Sequence, residues 1–280
     1  LARRLSADGV ASAVGVGGMN RILFEKSEVV DGFASFSGER AEHVLNVLHG
    51  EVGGVLKTGE LDGCVGTSVI TEIRGLHERE AGSPQRGSGL LAGTIVVKCS
   101  HEIAPKPPWF DIVLAPPRPR VLKRLLPQLA ALGAGKIVLV GADRVEKSFW
   151  GAQVLKEPVY RPLLVDGLMQ SGTTTVPVIR CERSFARYAE SAIGSEFAGC
   201  EKIVAHPGAV NNARSSAGRD AGDGRRTVIA VGPEGGWTDR EVSILEGRGF
   251  RRHSLGSRIL RTDTATIAVI AQLMAERDIY

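Results

Sequence analysis

The sequence predicts an α/β protein in two parts: a mostly parallel α/β domain over 109–280, preceded by a smaller β-rich domain over 19–104. Three observations carry this reading. Beyond the stiff Pro105–Pro108 segment, short apolar runs alternate with stretches of helical periodicity, the pattern of strands joined by crossover helices. Before it, short strand-like runs are punctuated by glycines, with a single helical stretch among them. Near the C-terminus two glycine-bearing loops each follow an apolar run, and parallel sheets bind ligands at the carboxyl ends of their strands.

In chain order, residues 1–18 are small, Gly/Ala/Ser-rich and weakly periodic, a composition that favours little order. Their Arg-rich, acid-poor character fits the remnant of an organelle transit peptide; the alternatives are a cloning remnant or an upstream fragment. The expected location is therefore cytoplasmic, or plastid or mitochondrial if that remnant is genuine. Strands are expected at Arg21–Phe24, Ala34–Phe36, Gly54–Lys57, Cys64–Ile73 and Thr94–Lys98. Glu39–Leu48 carries Val44, Leu45, Val47 and Leu48 at helical spacing, and Arg79–Gly89 reads as a polar loop.

In the second part, Phe110–Leu114 and Lys136–Val140 read as strands. The helix between them, Val121–Leu132, places Leu122, Leu125, Leu126 and Leu129 inward, is expected to kink or split at Pro127, and stops at Gly133. Helices follow at Arg161–Ser171 and Ser184–Ile193, strands at Pro177–Ile179 and Lys202–Ala205, and Ala209–Arg225 is a polar loop. The apolar run Thr227–Val231 ends at Gly232-Pro233-Glu234-Gly235-Gly236. There glycines permit positive φ or close approach of backbone to a ligand. Thr238 with Glu241 forms a capping box. A strand near Arg252–Leu255 then meets Gly256, and Ser257–Thr262 leads into a helix over Asp263–Glu276.

Composition narrows the function classes. Hydrophobic residues at 43% suffice for a real core, whereas 5% aromatics leave few stacking surfaces; the formal charge of +4 is compatible with an RNA partner without requiring one. Cys64, Cys99, Cys181 and Cys200 are scattered, which fits a reducing compartment, and no Cys/His cluster points to a metal. No apolar run reaches the length of a membrane span. The sequence has no GxGxxG, P-loop, GxSxG or HExxH motif.

The pair GPEGG (232–236) and LGSRILRT (255–262) resembles the SPOUT superfamily of RNA methyltransferases. Within it the closest resemblance is to the family that methylates N3 of a uridine in small-subunit ribosomal RNA, the ribosomal RNA small subunit methyltransferase E type. Asp263 stands where that family usually has Glu. The resemblance implies a C-terminal trefoil-knotted domain that cradles S-adenosylmethionine, an N-terminal PUA-like RNA-binding β-barrel, and a homodimer whose sites form where two knots pack together. His49 and Thr173 stand where the family commonly has Arg, the latter in its QSGR segment (Gln170-Ser171-Gly172 here).

The donor is then expected to lie against Val231, Gly232, Pro233, Glu234, Gly235, Gly236, Leu255, Gly256, Arg258, Ile259 and Leu260, with Gly235 as a candidate left-handed residue. Arg261 is the candidate for stabilising the uracil anion that forms as N3 loses its proton, because an arginine presents a planar fork of donors. The alternative for Arg261 is a structural pairing with Asp263 or a helix end. Arg21, Arg118, Arg120, Lys123 and Arg144 are candidate phosphate contacts on a small-subunit ribosomal RNA or ribosomal subunit; the alternative is a solvated helix face. The last helix carries Ile267, Ile270, Ala271 and Met274 on one face, broadened by Ala268, Val269 and Leu273. This apolar surface suits a subunit interface or simple burial in its own domain. Two rival functions remain: a non-catalytic RNA- or ribosome-binding factor of the same fold, and a SPOUT enzyme acting on transfer RNA or another ribosomal base.

Overall fold

In the computed structural model the described residues are 21–78, 91–207 and 225–277. The tail 1–18, the segment 79–89 and the loop 209–224 lie outside them.

The first sheet contains β1 (Ile22–Phe24), β2 (Val29–Val30), β3 (Phe33–Phe36), β4 (Val55–Glu60), β5 (Val65–Glu78) and β6 (Leu91–Ile103), with helix α1 (Glu39–Asn46) following β3. The strand order is β1-β4-β5-β6-β3-β2. Every pairing is antiparallel except β1 with β4. Its two edge strands come from one stretch of chain. The few residues from Phe24 to Val29 can span at most about 18 Å, whereas the edges of a flat six-stranded sheet would lie about 24 Å apart. The sheet is therefore curled, a barrel-like form whose interior holds Ile22, Phe24, Ala34, Phe36, Val44, Ile70, Ile95 and Val97. β5 and β6 run longer than the apolar runs read from the sequence. Register shifts between Ile70 and Glu72 and between Arg74 and His77 interrupt the period-two alternation that such a reading depends on.

The second sheet is entirely parallel. It runs through β7 (Phe110–Leu114), α2 (Pro119–Ala131), β8 (Ala134–Val140), α3 (Glu157–Ser171), β9 (Val178–Glu182), α4 (Phe185–Ser191), α5 (Ile193–Glu196), β10 (Glu201–Ala205), β11 (Thr227–Val231), α6 (Asp239–Gly247), β12 (Arg251–His253) and α7 (Thr262–Glu276). The strand order β12-β10-β11-β7-β8-β9 places β11 between β10 and β7, with β12 outside β10. Side chains alternate across the sheet. Ile112, Leu114, Ile137, Leu139 and Ile229 pack under residues of α2, α3 and α7. Val113, Val138, Val140, Val228 and Ala230 pack on the other face with residues of α4 and α6. Both faces are covered, so the strands read as near-continuous apolar runs.

The structure narrows two expectations that the sequence left with alternatives. Pro127 does not split its helix: α2 continues from Pro119 to Ala131 with the proline inside. The neighbouring α3 accommodates it through Gly167, where a β-carbon would fall 2.0 Å from the Pro127 carbonyl oxygen. The apolar surface of α7 is largely spent at home, since Val269, Ile270 and Leu273 are buried and Ile267 and Met274 pack against the same core. It is therefore no argument for a second copy.

The domains are clasped along α3. Leu23 and Leu61 of the first domain join the second domain's core. The Arg21 guanidinium donates to the carbonyls of Thr58 and Gly66 in its own domain, at 2.6 and 2.9 Å, and of Gly172 across the boundary at 3.1 Å. The Asp62 carboxylate accepts from the Val176 N–H at 2.8 Å, the Asp62 N–H donates to the Thr174 carbonyl, and Arg161 pairs with Glu25.

Candidate active site

The carboxyl ends of β10, β11 and β12 lie side by side because the topology sets these strands and their outgoing loops on one edge of the sheet. They enclose a cavity of about 430 Å³. The loop after β11 is held in shape from several sides. Thr238 and Glu241 form the expected capping box at the start of α6. The Thr262 hydroxyl at the start of α7 donates to the Gly232 carbonyl at 3.3 Å, tying the first glycine loop to the segment that follows the second. The Glu234 carboxylate accepts from the Arg118 N–H at 3.1 Å, joining the loop to the N-terminus of α2. Arg144, from the turn after β8, donates to the Gly235 carbonyl.

The glycines do separate jobs. A β-carbon at Gly232 would lie 2.9 Å from the Trp237 backbone nitrogen, so the loop closes on itself only with glycine there. Gly236 and Gly256 have φ of +71° and +102°. Gly235 is not left-handed, which corrects the expectation for that position.

The cavity is bordered by Val231, Gly232, Pro233, Glu234, Gly235, Gly236, Leu255, Gly256, Arg258, Ile259 and Leu260, so the two sequence motifs meet around one space. Sequence reasoning missed Ala205, His206 and Pro207 at the end of β10, together with Trp237, His253, Thr262 and Ala265. The rule that ligands gather at strand carboxyl ends reaches the first three only once β10 is known to lie between β11 and β12. The cavity's volume suits a nucleoside-sized ligand.

Arg261 is the N-cap of α7; its side chain is exposed and makes no hydrogen bond or ion pair among the described residues. The alternative pairing with Asp263 is not formed, because Asp263 faces Arg124 at 3.3 Å. Arg118, Arg120 and Lys123 are exposed on and just before the first turns of α2, the helix tied to the glycine loop through Glu234. Arg144 borders the cavity and braces the loop. Arg21 is corrected: its half-buried guanidinium is occupied by three carbonyls of the domain clasp, and burial lowers its pKa. The segment that follows Gln170-Ser171-Gly172 is also engaged there, with the Thr174 hydroxyl donating to the Gly63 carbonyl at 2.7 Å. Among the described residues no cluster of His, Cys, Asp or Glu could hold a metal ion, and no helix is long and apolar enough to cross a membrane.

A parallel sheet with a glycine-walled cavity at its strand ends and arginines beside it is a ligand-binding arrangement, and comparison with known proteins gives its class. A family model described as an RNA methyltransferase domain matches residues 104–274. The chain is 30% identical over 262 residues to the ribosomal RNA small subunit methyltransferase E of Treponema pallidum, covering 92% of this chain and 91% of that one. Among solved structures, a Legionella pneumophila methyltransferase with bound SAM superimposes with a TM-score of 0.68 at 21% identity, over 92% of this chain and 98% of that one. The ribosomal RNA small subunit methyltransferase E of Neisseria gonorrhoeae, bound to S-adenosyl methionine, gives 0.61 at 20% identity over 92% and 98%. These two likenesses establish the fold. The chain belongs to the ribosomal RNA small subunit methyltransferase E family of RNA methyltransferases.

Proposed function

We propose that the protein methylates N3 of a uridine in small-subunit ribosomal RNA, using S-adenosylmethionine. The observation that carries this reading is the meeting of both glycine motifs around one cavity whose rim is basic, in a chain of this family. S-adenosylmethionine supplies a methyl group already activated on its sulfonium. The protein's own contribution is to orient and to stabilise charge. The Gly232–Gly236 and Leu255–Leu260 backbones hold the donor, and Arg118, Arg120, Lys123 and Arg144 neutralise RNA phosphates near the mouth. Uracil N3 becomes a nucleophile only as its proton leaves, and the exposed Arg261 guanidinium stabilises the negative charge that develops on the base.

The working unit is a homodimer whose second copy completes the site, and the C-terminal chain carries a trefoil knot. One feature of the cavity favours the dimer: Ile259 borders it yet is 93% exposed, an apolar wall left open to solvent. The test is mass spectrometry of nucleosides from small-subunit ribosomal RNA, with and without the gene. Loss of 3-methyluridine on deletion is expected. An unchanged nucleoside profile, or loss of a different methylated base, would refute the assignment.

A further inference from the structure

The donor cavity is bordered by two residues, Trp237 and His253, whose ring nitrogens are buried behind its wall and satisfied by no described residue. Trp237 is 5% exposed and His253 is 6% exposed, and both border the cavity. The indole Nε1 and the imidazole Nε2 are buried without a hydrogen-bond partner among the described residues. Each residue is otherwise firmly placed. Trp237 packs against Phe185 with ring centroids 5.2 Å apart. His253 ends β12 in register with Ala205, and its carbonyl accepts from the His206 N–H at 2.9 Å. A buried polar atom without a partner is costly and uncommon in native structures. Packing alone gives no reason to keep ring nitrogens where phenylalanine would fill the same space.

Resting on the methyl-donor reading above, we infer that Trp237 and His253 are specificity residues whose ring nitrogens hydrogen-bond the nucleoside part of the donor. The chemistry selects the partner atoms. An indole N–H only donates, so it requires an acceptor such as a purine ring nitrogen or a ribose oxygen, whereas imidazole Nε2 donates or accepts according to its tautomer. The burial selects the end of the donor. Its ammonium and carboxylate are expensive to bury; both find water at the open side, and the carboxylate also finds the cations of the exposed Arg144 and Arg258. The uncharged nucleoside is the part that can be enclosed against the two buried rings.

The test is calorimetry on the full chain with two probes, S-adenosylhomocysteine and 5′-methylthioadenosine, the second lacking the amino-acid tail. His253→Phe and Trp237→Phe keep a ring and remove the nitrogens. Each is expected to weaken both probes by the same factor, about 5- to 100-fold, while the ligand-free variants melt no earlier than the parent. If one variant fails to fold, the other carries the test. Unchanged affinity for both probes in a folded variant overturns the inference. Loss for S-adenosylhomocysteine alone also overturns it, because the nitrogens would then read the tail. A parent that binds neither probe overturns the methyl-donor reading and this inference together.

Discussion

Gly232→Ala should disable the donor site more than a similar change at any other glycine of the two loops. The added β-carbon would lie 2.9 Å from the Trp237 backbone nitrogen and 3.2 Å from both the Gly236 carbonyl carbon and Trp237 Cδ1, where ordinary contact begins at 3.4 Å. The loop must open by about 0.5 Å, and the principal obstacles are backbone atoms that no rotamer change can move. The shift is transmitted, because the Gly232 carbonyl accepts the Thr262 hydroxyl that ties this loop to α7. Overpacking of this kind costs about 1–3 kcal/mol, or roughly 5- to 150-fold if it falls on donor affinity.

Two controls fix the interpretation. At Gly235 the new carbon meets Arg144 Cδ at 3.0 Å, part of a flexible side chain, and φ is not positive, so Gly235→Ala should change affinity by about twofold at most. At Gly256 the space is open but φ is +102°, so backbone strain of about 1–2 kcal/mol should place Gly256→Ala in between. Calorimetric titration with S-adenosylmethionine, paired with thermal melts, measures the series. A larger affinity loss in Gly235→Ala than in Gly232→Ala would refute the reasoning.

Arg261→Lys should bind the donor and retain the parent's light-scattering mass, expected at twice that of one chain, but lose turnover, because a point charge does not reproduce the guanidinium fork; parental turnover removes Arg261 from the mechanism, and an active monomer removes the shared site. Replacing Arg120 and Lys123 together with alanine should flatten the log–log salt dependence of RNA binding by about 1.4–1.8, and an unchanged slope puts the RNA face elsewhere. Arg21→Ala strips the donor from the Thr58, Gly66 and Gly172 carbonyls and should cost about 1–3 kcal/mol in urea unfolding while leaving the salt slope alone. Burial works to raise the Glu196 carboxyl, but hydrogen bonds from Lys136 and Tyr188 and the charge of Arg180 hold it below 4.5. Its stabilisation is therefore present above that value and lost as pH falls through the depressed one. Glu196→Gln should unfold more easily than the parent near neutral pH, with the gap closing in acid; a gap that widens in acid contradicts this.

The parallel half of the fold was legible because both faces of its sheet are covered. Strands such as Thr227–Val231 stand out as unbroken apolar runs, and Thr238 with Glu241 marks the start of the following helix by residue type and spacing alone. The first domain was harder to read. β2 is two residues long, too short for periodicity, although Asp31-Gly32, with φ of +50° and +80°, is a hairpin signal that could have revealed it. At the site, the two motifs could be read because glycine is required there by backbone geometry. The contributions of Ala205, His206 and Pro207 could not be read locally, since they depend on β10 lying next to both β11 and β12. Arg21 failed for a related reason. Sequence shows a cation but not the carbonyls around it, and a guanidinium fits a cluster of carbonyls as readily as a phosphate.

The place of Arg21 in the clasp has a mechanical consequence. The residues of the clasp, Arg21, Asp62, Gly172 and Thr174, join the first domain to the end of α3 and the segment leading into β9, at one edge of the parallel sheet. The cavity belongs to β10, β11 and β12 towards the opposite edge. Side chains on both domains share one core at Leu23 and Leu61, so the clasp rests on apolar burial as well as hydrogen bonds. Such a joint holds the first domain in one orientation without touching the donor loops. Substitutions in the clasp should therefore alter how RNA is presented and leave donor affinity in place, whereas substitutions in the glycine loops should do the reverse. Thr173 falls on the clasp side of that division: its hydroxyl meets Ser171 at 3.2 Å beside the residues that hold the domains together.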